Sequence, residues 1–165
     1  MKKSRLKEII MYYIFVVNDL KNDLKIMMSC EEIVEKLLDK KYWLFNDKYP
    51  ISSRVKKLKR YDKVLLYMAG NHRKFFVASF TLDGESRNIE EVIGLDNKFY
   101  DFFRFAIPIK DVRTFVPPVS INTIINDLDF INNKKYWGLF FRQSMKAISE
   151  KDYIQIINSS QKKEQ

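Results

Sequence analysis

One cysteine and one histidine stand in 165 residues. No disulfide can form within the chain, and a zinc site, which takes three or four Cys/His-type ligands, has too few donors. The composition points to a reducing compartment, read as the cytoplasm, and to no metal and no other cofactor. Four glycines and four prolines are too few for a low-complexity or disordered chain. The early apolar run over residues 9–17 is too short to cross a bilayer. No small-residue cleavage site follows it, and Asn18-Asp19 ends it. Phosphate-loop, dinucleotide, zinc-protease and serine-hydrolase signatures are all missing.

What is present is aromatic and basic. Thirteen Phe, nine Tyr and two Trp accompany 30 basic and 21 acidic residues, a formal charge of +9. A domain of this charge attracts polyanions, nucleic acid first among them. At 46% hydrophobic, a chain this long can bury about two-thirds of its surface in one domain.

Residues 1–10 form a basic lead-in. Residues 11–17 (MYYIFVV) read as a strand, and 18–25 as a polar loop. Ser29 and Glu32 have capping-box spacing, with Met28 and Ile33 placed as a hydrophobic staple. Ile33, Val34, Leu37 and Leu38 then recur at helical spacing, ending near Asp39-Lys40. After Tyr42-Trp43-Leu44-Phe45, Ser52 or Ser53 is expected to cap a short helix carrying Arg54, Lys56, Lys57, Lys59 and Arg60. Residues 63–68 and 74–82 read as strands joined at Gly70-Asn71-His72. A polar loop over 83–97 precedes a long strand over 100–109, with Pro108 marking an edge or bend. Residues 112–116 add a strand before Pro117-Pro118, and 122–133 loop around a short helix. Residues 137–141 pack as a strand or buried turn. Ser149 and Asp152 cap a last helix, and the tail from Ser159 is expected to fray. Five or six strands, two main helices and no β-α alternation make an α+β fold, a small mixed barrel with helices at the rim.

Three constellations carry chemistry. Trp43, placed in a loop after a helix, is either a core anchor or a platform on which a base stacks. Over residues 99–105, strand alternation puts Tyr100, Phe102 and Arg104 on one face and Phe103 and Phe105 on the other. The cations Arg54, Lys56, Arg73, Lys74, Lys134 and Arg142 could track a phosphate backbone. His72 falls in a turn, and Asp83, Glu85 and Arg87 are too loosely spaced for a nuclease set. No catalytic residue is assigned.

The runs YYIFVVND, KKYWLFNDKYP and SRVKKLKRYDKVLLYM resemble the EVE domain of the PUA-like superfamily. INDLDFINNKKYWGLFFRQSMKAISEKDYIQII is similar to that family's C-terminal half. The resemblance covers about residues 12–157 and implies one PUA-like domain spanning the chain, related to YTH domains. It implies binding of a modified base in DNA, flipped into an aromatic pocket on the barrel. Asn18 would hydrogen-bond the base edge, Trp43 would stack on it, and the backbone at Leu44 and Phe45 would add polar contacts. Tyr100, Phe102 and Trp137 would supply further walls. Ser52-Ser53 stands where many EVE domains have Arg-Asn, and Tyr61-Asp62 where a Gly-Asp is common. The partner expected is nucleic acid, DNA before RNA, with no membrane and with an effector protein of a restriction or repair system acting downstream. An RNA module, a nuclease and a metabolite-binding scaffold are the competing readings.

Overall fold

The computed structural model describes residues 9–70 and 72–161; most of the basic lead-in and the last four residues lie outside them. The first half contains β1 (Tyr12–Val17), β2 (Leu20–Asn22), β3 (Lys25–Met28), α1 (Cys30–Lys40), β4 (Tyr42–Phe45), α2 (Ile51–Val55), β5 (Lys63–Met68) and β6 (Phe75–Leu82). The second contains β7 (Arg87–Asn88), α3 (Asn97–Phe102), β8 (Phe105–Ser120), α4 (Ile121–Ile124), β9 (Met145–Ile148) and α5 (Glu150–Ser160).

The main sheet runs β4-β8-β6-β5-β1-β9, with β7 also on β8, and curls into a half-barrel. β1 is its hub, parallel to β5 and antiparallel to β9. Successive strand residues face opposite sides, and both sides of β1 are apolar. Tyr13, Phe15 and Val17 enter the larger core with α1 and β4, while Ile14 enters a second core with α5. This mixed α+β architecture is the one expected.

The cap on α1 is realised: Glu32 N–H donates to Ser29 Oγ at 3.1 Å, and Ile33, Leu37 and Leu38 are buried. A cap of this kind contributes about 1 kcal/mol. Ser149 Oγ likewise accepts from Asp152 N–H at 3.1 Å. The Asp152 carboxylate itself turns to accept from Asp129 N–H at 2.8 Å and Phe130 N–H at 2.9 Å, so it pins a distant loop.

Several local expectations are corrected. Residues 100–109 are not one strand. Asp96 accepts from Lys98 N–H at 2.9 Å and starts α3, and Phe99 and Phe103, four apart, pack with ring centroids 6.1 Å apart. The alternation placed on Tyr100, Phe102 and Arg104 therefore does not exist. β8 begins at Phe105 and continues through Pro108 and Pro117-Pro118 to Ser120. Pro108 sits opposite Tyr42 in the ladder and its carbonyl accepts from Asp83 N–H at 2.8 Å. Neither Ser52 nor Ser53 is a cap: Pro50 precedes α2, and Ser53 Oγ donates back to Pro50 O at 2.9 Å. α2 ends at Val55, which leaves Lys57, Lys59 and Arg60 in the turns beyond it. The loop read over 18–25 holds the β2–β3 hairpin. Residues Trp137–Phe141 form a 3-10 helix, and α5 extends past Ser159 to Ser160.

Candidate nucleic-acid interface

The fold brings five separate stretches to one end of the half-barrel. β1 ends there at Val17, followed by Asn18, Asp19 and Leu20. α1 contributes Ile33 and Leu37, β4 contributes Trp43, Leu44 and Phe45, and the loop after α3 contributes Phe103. Val16 N–H donates to Ser144 O at 2.8 Å, which carries residues 141–144 to the same place. The space between them is a cavity of about 590 Å³, within the range typical of small-ligand sites.

Its floor is aromatic. Trp43 is in β4, opposite Ile107, and is 3% exposed with its ring 6.0 Å from Phe80. The loop placement expected for Trp43 is thus wrong: the apolar run Tyr42-Trp43-Leu44-Phe45 supplies a strand that β8 accepts as a neighbour. Trp43 is a core residue that also borders the cavity. Phe45 is buried edge-on against Phe15 at 4.9 Å. Phe141 stacks on Tyr67 at 4.0 Å, so one of its faces is already occupied. Phe103 is half-buried and is the most accessible aromatic wall.

The rim is polar. Asn18, Arg142 and Gln143 are exposed there, and Asn46 and Ser144 are half-exposed. Asn18 Oδ1 accepts from Asp19 N–H at 2.9 Å, which holds the carbonyl end of its amide. Asp19 is fixed more firmly. Its Oδ1 accepts from Cys30 N–H at 2.7 Å and from Arg73 Nη2 at 2.7 Å. Arg73 also donates to Glu31 at 3.0 Å and to Ala69 O at 2.8 Å. One guanidinium thereby ties the end of β1 to the start of α1 and the β5–β6 turn. Its hydrogen bond holds the Glu31 carboxyl below the usual carboxylate range. Burial pushes the Cys30 thiol up to about 12.

Of the base-pocket residues expected, Asn18, Trp43, Leu44 and Phe45 line this cavity; Tyr100, Phe102 and Trp137 do not. Tyr100 and Phe102 border a smaller depression at α3, about 260 Å³, whose charged lining is Asp47, Glu90, Asp101 and Arg104. Three carboxylates against one guanidinium are ill suited to a polyanion. Trp137 lies behind Phe141, edge-to-face at 6.0 Å. Phe103, Phe141 and Gln143 were not anticipated. The Asp96 cap with Phe99 and Phe103 at helical spacing could have revealed Phe103. Residues 141–144 reach the site through long-range contacts, Ser144 with Val16 and Phe141 with Tyr67.

Of the expected phosphate contacts, Arg73 is corrected. Its side chain is 13% exposed and engaged with Asp19 and Glu31, so it has little freedom to meet a phosphate. Lys134 Nζ donates to Leu128 O at 2.6 Å, and Lys74 Nζ lies 5.8 Å over the Trp137 ring. Lys56 is exposed beyond α2. Arg142 stands at the cavity rim. Arg54 donates to Gln143 and lines a second groove, about 430 Å³, together with Lys57 and Lys146. Gln143 borders both spaces, which makes cavity and groove neighbours.

No protein-family profile matches the chain. A stretch of 52 residues is 35% identical to UPF0310 protein PH1033 of Pyrococcus horikoshii, and it covers 31% of this chain and 34% of that one. The matched stretch is thus about a third of the curated relative. The fold matches human THYN1, solved in complex with 5-methylcytosine-containing DNA. That superposition has 9% identity and a TM-score of 0.60, and it covers 93% of this chain and 99% of that one. The YTH domain of Zygosaccharomyces rouxii MRB1, solved with N6-methyladenosine RNA, matches at 15% identity and TM-score 0.57. It covers 90% of this chain and 86% of that chain. The chain has the PUA-like fold of these two domains. In this fold the cavity opens at the end of the first strand, between the first helix and the strand that follows it. Among the described residues no cluster of three or more His, Cys, Asp or Glu is placed to hold a metal ion, and no helix is long and apolar enough to cross a membrane.

Proposed function

We propose that this chain is a nucleic-acid-binding module that takes a modified base, turned out of its strand, into the 590 Å³ cavity. The observation that carries the reading is the cavity itself: an aromatic floor of Trp43, Phe45 and Phe103 beneath a polar rim of Asn18, Arg142 and Gln143, in a chain of charge +9. Support comes from two folds of the same kind solved with methylated DNA and with methylated RNA. Phe103 supplies the face on which the base stacks. Asn18, its carbonyl held by Asp19, presents its amide to the base edge. The adjoining groove with Arg54, Lys57 and Lys146 receives the phosphates that flank the base. The whole chain acts as one binding domain in the cytoplasm without turnover, and a restriction or repair partner carries out any later step.

Extrusion of a base costs a few kcal/mol, and stacking on an aromatic ring returns about 1–3 kcal/mol. Burial of one methyl group adds about 0.8 kcal/mol, roughly a fourfold preference. Selectivity beyond about tenfold requires a polar group left unpaired by the wrong base. DNA is the favoured ligand, and RNA is the second reading because the YTH neighbour was solved with it.

The test is fluorescence anisotropy on one sequence carrying cytosine, 5-methylcytosine, 5-hydroxymethylcytosine or N6-methyladenine, as DNA and as RNA. Phe103→Ala and Asn18→Ala are the variants of choice. Trp43→Ala would open a hole in the core at a cost of about 3–5 kcal/mol and confuse folding with binding. One modification should bind several-fold tighter, and Phe103→Ala should erase that preference. Equal binding of all versions with a steep salt dependence would overturn the reading.

A further inference from the structure

The β2–β3 hairpin joins the core only at its root. Met28 pairs with Leu20 and Ile26 with Lys21, a bulge between these pairs interrupts the alternation of the returning strand, and Leu24 stands in the turn before it. Met28 is 2% exposed, Ile26 is 53% exposed and Leu24 is 101% exposed. The apolar residues of the hairpin therefore run from the core at its root to full exposure at its tip. Leu24 follows Asp23, which takes the positive φ of 56° in the turn. Turns of this kind favour Asn, Asp or Gly, and a leucine there gains no contact within the fold. A local rule broken without structural gain is the mark of a functional position.

The placement indicates the function. Asn18, Asp19 and Leu20 line the base cavity, so the hairpin springs from the cavity rim. The three residues of β2 carry its tip about 10 Å outward at the usual strand rise. The root is fastened by Asp19 to Arg73 at 2.7 Å and by Lys98 Nζ to Met27 O at 3.2 Å. Lys21 and Lys25 are exposed on either side of the tip.

From this geometry we infer that the hairpin is a wedge for duplex DNA: Leu24 at its tip enters the base stack where the base bound in the cavity has left it. Apolar side chains unstack base steps in this way, and Lys21 and Lys25 meet the phosphates on each side. The lysines and the nearby base cavity favour a duplex over an apolar protein surface as the occupant. The inference rests on the base-pocket reading and adds a strand preference to it: Leu24 matters only where a stack has to be opened.

The experiment compares the full-length protein with Leu24→Asn and Leu24→Ala, both compatible with the turn and with an exposed site. The probes are DNA oligonucleotides with one 5-methylcytosine or one N6-methyladenine and a 2-aminopurine beside it, single-stranded and duplex. Leu24→Asn should weaken duplex binding about tenfold and single-strand binding less than about twofold, because a single strand has no stack to open. The rise in 2-aminopurine fluorescence on duplex binding should vanish, and a mismatch at the modified base should restore affinity. Equal losses on both forms, or no loss on either, overturn the wedge. Phe103→Ala, run in parallel, separates the two readings. If it abolishes base preference on both forms while Leu24→Asn leaves the duplex unaffected, the pocket stands and the wedge falls. If Phe103→Ala changes nothing, both fall.

Discussion

Replacement of Arg73 by alanine distinguishes a structural guanidinium from a phosphate contact. The structure assigns Arg73 to the joint between β1, α1 and the β5–β6 turn, with Asp19 at 2.7 Å, Glu31 at 3.0 Å and Ala69 O at 2.8 Å. Removal leaves Asp19, whose side chain is 12% exposed, without its cation, although Cys30 N–H remains as a donor at 2.7 Å. Breaking a fully buried ion pair costs about 3–5 kcal/mol. The remaining amide bond and the partial exposure lower that to about 2–3 kcal/mol, and the Glu31 contact, 63% exposed on its side, adds no more than about 0.5 kcal/mol. For a domain of this size each kcal/mol moves Tm by about 2–4 °C, so Arg73→Ala should melt about 5–10 °C lower. A phosphate contact behaves differently. It would leave Tm unchanged and reduce the slope of log affinity against log salt by about 0.9 for duplex DNA. Thermal melting and a salt titration of DNA binding on the same protein therefore settle the role. An unchanged Tm with a shallower salt slope would refute the joint.

Two further predictions follow from ionisation. Cys30 is fully buried and its thiol is raised to about 12. It should therefore resist a thiol reagent at pH 8 in the native protein and react at once in denaturant; native-state labelling at the denatured rate would show that α1 does not hold its place. The folded-state pKa of Glu31 is lowered by its hydrogen bond to Arg73. Its contribution is then complete above the unfolded carboxylate value, about 4.3, and is lost as pH falls through the lower folded value. Glu31→Gln should thus be slightly less stable than wild type at pH 6, by about 0.5 kcal/mol for a pair this exposed, and equal to it once the pH lies below the lowered folded value. A difference that grows toward acid would reverse the sign and sink the assignment.

Local order was legible in the residues. The Ser29 and Ser149 caps, the strand over residues 11–17 and the strands near 63–68 and 74–82 all follow from nearest-neighbour chemistry, because a cap or an alternating run involves residues within one or two turns. The motif order also led to the PUA-like fold. Where two local signals competed, the reading failed. The aromatic run after Asp96 reads equally well as strand or helix. Its outcome rests on one side chain, the Asp96 carboxylate that accepts from Lys98 N–H at 2.9 Å, and on Phe99 and Phe103 finding each other four residues apart.

The candidate site divides along the same line. Composition and motif alone supplied the charge of +9, the absence of Cys/His ligand sets and the candidacy of Asn18, Trp43, Leu44 and Phe45. Only the tertiary structure decided that Phe103 and residues 141–144 join them, that Tyr100, Phe102 and Trp137 do not, and that Arg73 is an internal tie. The physical reason is distance along the chain. Arg73 meets Asp19 across 54 residues, and Ser144 meets Val16 through a sheet pairing that needs the whole half-barrel to form. A sequence specifies which groups are available within a few residues, whereas the partner each group finds depends on how the strands are ordered in space.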